Sequence, residues 1–309
     1  VYETPEVAWF DGVHAVSTAT GDFDFQVGGY LGAATHFYES SPSGDLVAGA
    51  HLQLRPVAAS RLRLDFMRLE DDTRLLNHGN GLFGASYWHD FGSTVQFEAQ
   101  YSRLDNRDRD ARGRLSYSLP ESDLHLQVTY YGLLLTQGDL ALEADPFFNQ
   151  LNELRPYDQF GVLLSQGVGD KLQLQGAADL RRVRDRADIG FYNRDFDHYY
   201  AKAILADFDM KGLTLSGTLD FWDSDSQLMR SWGGDLSYEV DANTFSIGTY
   251  YSLFKYDLFL NSERDHVRTF YFKLRHKASE ALTLDCDYEF EDEDDADYHR
   301  FRMGVSWRF

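Results

Sequence analysis

His299-Arg300-Phe301-Arg302-Met303-Gly304-Val305-Ser306-Trp307-Arg308-Phe309 closes the sequence, and from Phe301 onward every second residue is apolar or aromatic. A β-strand points successive side chains to opposite faces. This stretch therefore has a greasy face and a face made of Arg302, Gly304, Ser306 and Arg308. Working backward, residues 282–291 set Leu282, Leu284, Cys286, Tyr288 and Phe290 against Thr283, Asp285, Asp287, Glu289 and Glu291. Residues 268–275 set Phe270, Phe272 and Leu274 against Thr269, Tyr271, Lys273 and Arg275. Three consecutive strands thus carry a basic, an acidic and a basic row on one side, and opposite charges across neighbouring strands attract by about 0.2–1 kcal/mol per pair. Burying such rows in a dry core is costly, so the charged side borders water and the other side borders something apolar.

Composition narrows what that apolar medium is. The chain has 309 residues, a formal net charge of −21, 19 Tyr and 23 Phe but only 6 Pro. Its mean hydropathy of −0.45 is that of a water-soluble protein. No run of 18 apolar residues is present, which excludes a membrane-spanning helix, but a transmembrane barrel passes that test because only alternate residues face lipid. The lone cysteine, Cys286, falls in an apolar row and reads as a small hydrophobe rather than part of a disulfide framework. Strong acidity argues against nucleic-acid binding. Val1 opens on an acidic stretch rather than a signal peptide, which suits a mature exported chain or a piece of a longer one.

Sixteen alternating segments follow one another, near 26–38, 46–55, 60–69, 79–88, 93–104, 110–119, 123–135, 157–167, 171–183, 198–209, 212–222, 230–240, 244–256, 266–277, 281–291 and 299–309. Most have the length that crosses a bilayer at a tilt. Short connections such as Asp90-Phe91-Gly92, Pro120-Glu121-Ser122 and Asp241-Ala242-Asn243 alternate with longer ones at 70–78, 105–109, 136–156, 184–197, 223–229, 257–265 and 292–298. The apolar rows recur throughout, as in Leu62/Leu64/Phe66, Val95/Phe97/Ala99/Tyr101, Leu213/Leu215/Gly217/Leu219/Phe221 and Trp232/Gly234/Leu236/Tyr238. Aromatic residues crowd the segment ends, as in the girdles of membrane barrels. The expected fold is all-β, a transmembrane antiparallel up-and-down β-barrel of about 16 strands over residues 23–309, with residues 1–22 as an N-terminal lead-in or a segment in the lumen; a seventeenth strand from Val7–Phe10 and Val13–Val16 is the disfavoured alternative, because it would put the N-terminus outside the cell.

On the strength of its terminal Phe309, the tail Phe301-Met303-Val305-Trp307-Phe309 and the alternating turns and loops, the chain over residues 26–309 resembles a Gram-negative outer-membrane β-barrel of the porin-like kind. The resemblance implies short periplasmic turns, longer extracellular loops, localisation in the bacterial outer membrane, and Phe309 as the signal read by the barrel-assembly machinery. The bilayer and lipopolysaccharide are the implied surroundings, with periplasmic proteins as further partners. An even strand count would place both chain ends on the periplasmic rim.

Parity then gives the pore-lining candidates. Basic ones are Arg55, Arg61, Arg63, Arg112, Arg114, Arg181, Lys273, Arg275, Arg300 and Arg302, and acidic ones include Glu98, Asp179, Asp285, Asp287 and Glu289. The early arginines either raise the local anion concentration as an unpaired row or pair with Glu98, Asp65 and loop acids. The late wall reads as a self-neutralising ladder. In the longest connection, Asp145-Pro146-Phe147-Phe148 through Leu151 and Leu154 reads as a short capped helix with an apolar face, which either constricts the mouth or caps the rim. His36, His51, His125 and His198 have inward parity, but no Gly-x-Ser-x-Gly, His-Glu-x-x-His or Cys-x-x-Cys-His is present, so no catalytic, metal or cofactor site is expected. The expected function is a channel for polar or charged solutes or a polymer. The alternative is a barrel module of a larger assembly, either a polysaccharide export duct or a sheath around an electron-transfer partner.

Overall fold

The computed structural model describes residues 10–34, 46–72, 77–136, 154–190, 193–224, 227–257, 262–293 and 297–308. Among these the regular structure is strand, interrupted by two single-turn 3₁₀ segments at Pro120–Ser122 and Arg186–Asp188. The strands are β1 Phe10–Val16, β2 Gln26–Ala34, β3 Leu46–Leu54, β4 Ser60–Asp72, β5 Asn77–Asp90, β6 Val95–Leu104, β7 Arg107–Leu119, β8 Leu124–Leu133 and β9 Tyr157–Val168. They continue with β10 Leu172–Val183, β11 Phe196–Leu205, β12 Leu213–Ser224, β13 Gln227–Val240, β14 Asn243–Asp257, β15 Ser262–Lys277, β16 Leu282–Asp292 and β17 Asp297–Trp307. Each strand pairs with the next along the chain in a 17-stranded sheet. The fold class is all-β, the antiparallel up-and-down arrangement of transmembrane β-barrels.

All sixteen segments expected from alternation are strands, and their register keeps like rows together. Between β15 and β16, Phe270 faces Phe290, Phe272 faces Tyr288 and Leu274 faces Cys286. On the other side Lys273 faces Asp287 and Arg275 faces Asp285. Between β16 and β17, Asp287 faces Arg302 and Glu289 faces Arg300, while Leu284 faces Val305 and Leu282 faces Trp307.

Three expectations need correction. First, residues 10–16 form a strand within the stretch expected as a lead-in, so the count is 17. The physical reason is close backbone approach. Gly12 lies opposite Gly32, and a Cβ on Gly12 would sit 2.2 Å from the Leu31 carbonyl oxygen, so this pairing tolerates no side chain. Second, the even strand count expected to bring both chain ends to one rim is not found among the described residues, where 17 strands follow one another. Third, the contrast between short and long connections is weaker than the sequence suggests. Residues 105–109 hold a two-residue turn, Asp105-Asn106, with φ of 46° and 66°. Positive φ at both central residues is the hairpin turn that matches strand twist. Strands β4, β7, β12 and β15 likewise run on into charged residues expected as loop, because charges outside an apolar medium are tolerated on either face while backbone pairing continues.

Two compact units divide the chain: Val1–Ser118, Leu126–Val162 and Asp179–Phe196 make the first, and Leu119–His125, Leu163–Ala178 and Asp197–Phe309 the second. Strands β1–β6 lie wholly in the first and β12–β17 wholly in the second.

Replacing Gly12 with Val should detach β1 without dissolving the remaining meander. Amide hydrogen exchange over Asp11–Val16 is expected to accelerate by about tenfold or more, while exchange in β15 and β16 stays as it was; unchanged protection of Asp11–Val16 would contradict the glycine-pair account.

Candidate functional site

In the first unit, the face that carries the basic candidates is a mixture of ion pairs, free guanidinium groups and a packed apolar patch. Arg63 grips Asp65, its Nε donating to both carboxylate oxygens at 2.9 and 3.0 Å. Asp65 is 2% exposed and stands opposite His51, whose ring fills the space left by Gly28. His14 extends this polar group, its ring 5.8 Å from that of His51 and 6.3 Å from that of Tyr30. Arg114 pairs with Glu98, which also accepts from Gln100 Nε2 at 2.8 Å. Arg55 pairs with Asp24 at 2.7 Å, where the turn after β1 meets the turn after β3. The half-exposed pairs of Arg114 and Arg55 contribute about 0–1 kcal/mol each, so they set charge placement more than stability. Among the described residues Arg61 and Arg112 make no ion pair.

Arg112 instead lies over the Tyr131 ring at 5.1 Å. Tyr131 packs on Tyr157 with centroids 5.6 Å apart, and Arg181 stacks on Tyr157 at 3.6 Å. Arg181 Nη2 donates to Asn193 Oδ1 at 2.9 Å. Neighbouring strands β7, β8, β9 and β10 thus contribute Arg, Tyr, Tyr and Arg in order. Asp179 is on the same side, because a side chain on Gly161 would strike both Thr129 and Asp179.

Further along β4 the alternation inverts. Met67 and Leu69 continue the row of Arg63 and Asp65, whereas Arg68 and Glu70 continue the row of Leu64 and Phe66. Met67, Leu82 and Leu104 are 0% exposed and pack with Tyr30, Val47 and Leu69, while Phe66 on the opposite side is 53% exposed. Phe10 and Leu135 pack against this cluster. Leu135 is the second residue of the connection after β8, so that connection sets a side chain on the charged-row side of the sheet near its start.

In the second unit the late wall forms the expected ladder. Arg275 Nε donates to Asp285 at 2.7 Å, Arg302 Nη2 donates to Glu289 at 2.9 Å, and Arg300 lies 3.7 Å from Glu289 and 3.9 Å from Glu291. Lys273 leans over the Tyr271 ring at 4.7 Å, and Tyr271 donates to Asp235 at 2.6 Å. Asp287 sits in register with Lys273 and Arg302. His198 Nε2 is 3.1 Å from Asp220 and its ring packs 4.7 Å from Trp222, a partner that sequence spacing did not reveal. No group of three or more His, Cys, Asp or Glu among the described residues is placed to hold a metal ion.

The candidate loop residues Asp145, Pro146, Phe147, Phe148 and Leu151, together with Phe309 and His36, lie outside the described residues. Reading by parity had overlooked Tyr131, Tyr157 and Asn193. Tyr131 was findable: in Tyr130-Tyr131 one ring must face each way, and Tyr130 donates on the apolar-row side to Asp158, which Arg184 also holds.

No protein-family model matches this chain, and no curated protein matches it. Among solved structures, OpdK of Pseudomonas aeruginosa, crystallised with vanillate, is 13% identical, with 97% of this chain and 92% of that chain covered and a TM-score of 0.48. OccAB4 of Acinetobacter baumannii is 8% identical, covering 96% and 95%, with a TM-score of 0.45. A bacterial polysaccharide outer-membrane secretin is 11% identical, covering 92% and 97%, with a TM-score of 0.39. The fold assignment rests on the strand pairing of the chain itself.

Truncating Leu82 to Ala removes a fully buried side chain from the middle of the apolar patch and should cost about 2–5 kcal/mol, read from denaturant unfolding of the barrel in detergent. Exchanging it for Met should cost under about 1.5 kcal/mol. Equal effects of the two would show that the patch is not close-packed. Reversing Arg275 to Glu opposite Asp285 should cost about 1 kcal/mol or less, with the loss shrinking in 1 M salt; a salt-independent loss would mean that the ladder does not act through charge.

Proposed function

We propose that this chain is an outer-membrane channel that passes polar or charged solutes. The observation that carries the reading is the separation of rows: charged and polar side chains share one side of β12–β17 and, up to the point in β4 where the rows change sides, of β3–β7, and exposed Leu, Phe, Tyr and Trp rows share the other. Apolar rows such as Leu215/Leu219, Trp232/Leu236 and Ile247 border acyl chains, and the ionic rows border water. Aromatic residues at strand ends, including Phe91 and Trp307, sit at the interfaces. Seventeen strands give a lumen in the range that holds an aqueous passage. The ion-paired ladders line it without serving as a reaction centre, so the chain is read as a transporter and not as an enzyme. Lipopolysaccharide and the bilayer surround it, and the assembly machinery reads the strand that ends at Phe309.

A second reading draws on the buried patch around Met67, Leu82 and Leu104 with Leu135 against it. Apolar packing on the water-facing side narrows the passage, which suits a barrel gated by a partner, as in an export duct or an electron-transfer sheath.

Reconstitution of the full chain in planar bilayers separates the two. Discrete conductance steps in simple salt, with reversal potentials that respond to ion gradients, are expected of a free-standing channel. A correctly folded barrel that stays silent would overturn it in favour of the gated module.

A further inference from the structure

We infer that Arg112, Tyr131, Tyr157 and Arg181 form a binding site for small organic carboxylates on the water-facing side of β7–β10. The inference rests on the channel reading for its orientation and deepens it by naming a solute class.

A guanidinium stacked on an aromatic ring spends its flat face on the ring and keeps its N–H donors in the plane, directed past the ring edge. Arg181, 3.6 Å over Tyr157, is close enough to lie this way, Arg112 sits 5.1 Å from the centre of the Tyr131 ring, and the two tyrosines pack on each other at a tilt. The four side chains therefore set two guanidinium groups against a pair of tilted tyrosine rings. A ring contact does not neutralise charge, which distinguishes these two arginines from Arg63, Arg114, Arg275 and Arg302, each committed to a carboxylate. The acids nearby are also committed. Asp110 pairs with Arg109 at 3.3 Å, and Asp195, whose charge reaches Arg181, accepts the backbone N–H of Val183 at 2.6 Å.

Arg181 carries a further sign. One of its nitrogens donates to Asn193, but Nε is shielded from solvent and has no hydrogen-bond partner among the described residues. A shielded donor left unmatched costs about 1–3 kcal/mol, a cost that an arriving acceptor removes. Arg112 is exposed and is the first contact. A carboxylate matches the guanidinium fork in a planar, charge-assisted pair, and the tyrosine rings accept the carbon skeleton and its hydroxyl groups. In a chain of net charge −21 these two cations are a local exception, and they favour anions against the general field.

The test is titration of the detergent-solubilised full chain with gluconate, followed by saturation-transfer NMR, with sorbitol as the uncharged analogue. Gluconate is expected to bind and sorbitol is not. Arg112→Gln and Arg181→Gln should each weaken gluconate about tenfold, Arg181→Lys should recover only part of the loss, and Arg114→Gln should change it less than about twofold. Because Arg112 is exposed, its variant tests the site even if Arg181→Gln fails to fold. Gluconate binding no better than sorbitol, or binding unaltered in Arg112→Gln, would overturn the site. Conductance separates the two readings: a chain that conducts but does not discriminate gluconate keeps the channel and loses the site, whereas one that binds gluconate but never conducts keeps the site and loses the channel.

Discussion

Strand register is the constraint on which everything else here depends. Side chains alternate with a period of two, so a slip of one residue between neighbours would bring every charged row onto the apolar side. The observed register prevents this twice over. Phe270 meets Phe290 and Leu274 meets Cys286 on one side, while Arg275 meets Asp285 and Glu289 meets Arg300 on the other. Neither set is strong pair by pair, but each penalises the same slip. Turn geometry adds a third lock, as where Asp105 and Asn106 both take positive φ between β6 and β7.

Much of the fold is legible in the sequence because half of each strand faces an apolar medium. Leu213, Leu215, Leu219 and Phe221 alternate with Thr214, Ser216, Thr218 and Asp220, and no helical spacing fits that series. Legibility fails where that medium stops acting. In β1, Val13–Val16 reads as a candidate strand, but what secures its pairing is Gly12 against Gly32, a backbone contact that exists only once the two segments meet. At Met67–Leu69 the apolar residues change sides, because there the strand packs against protein on its charged-row side. Charged stretches such as Arg107–Arg109 read as loop, yet they pair, since charge alone does not oppose a ladder whose surroundings are aqueous.

The charged side chains were legible as a set sharing one side of the sheet, and not as individual pairs. Parity placed Arg63, Arg112, Arg114 and Arg181 on a common side, but not which of them meets an acid. Asp65 and Glu98 take two, and aromatic rings take the other two. That division depends on which strands are neighbours at one height of the sheet, information that emerges from the pairing of β7 through β10. It gives the wall two kinds of arginine: those paired with carboxylates, and those set against tyrosine rings.

Orientation is the claim on which the rest stands, and collision accessibility of spin labels tests it most directly. With Cys286 replaced by Ser, single cysteines at Ile247, Phe272, Lys273 and Asp287 would carry a nitroxide in the bilayer-reconstituted chain. The account requires labels at 247 and 272 to be relaxed by oxygen dissolved in the acyl region and shielded from a water-soluble nickel chelate, with the reverse at 273 and 287. Nickel access at 247 and 272, or oxygen dominance at 273 and 287, would contradict it.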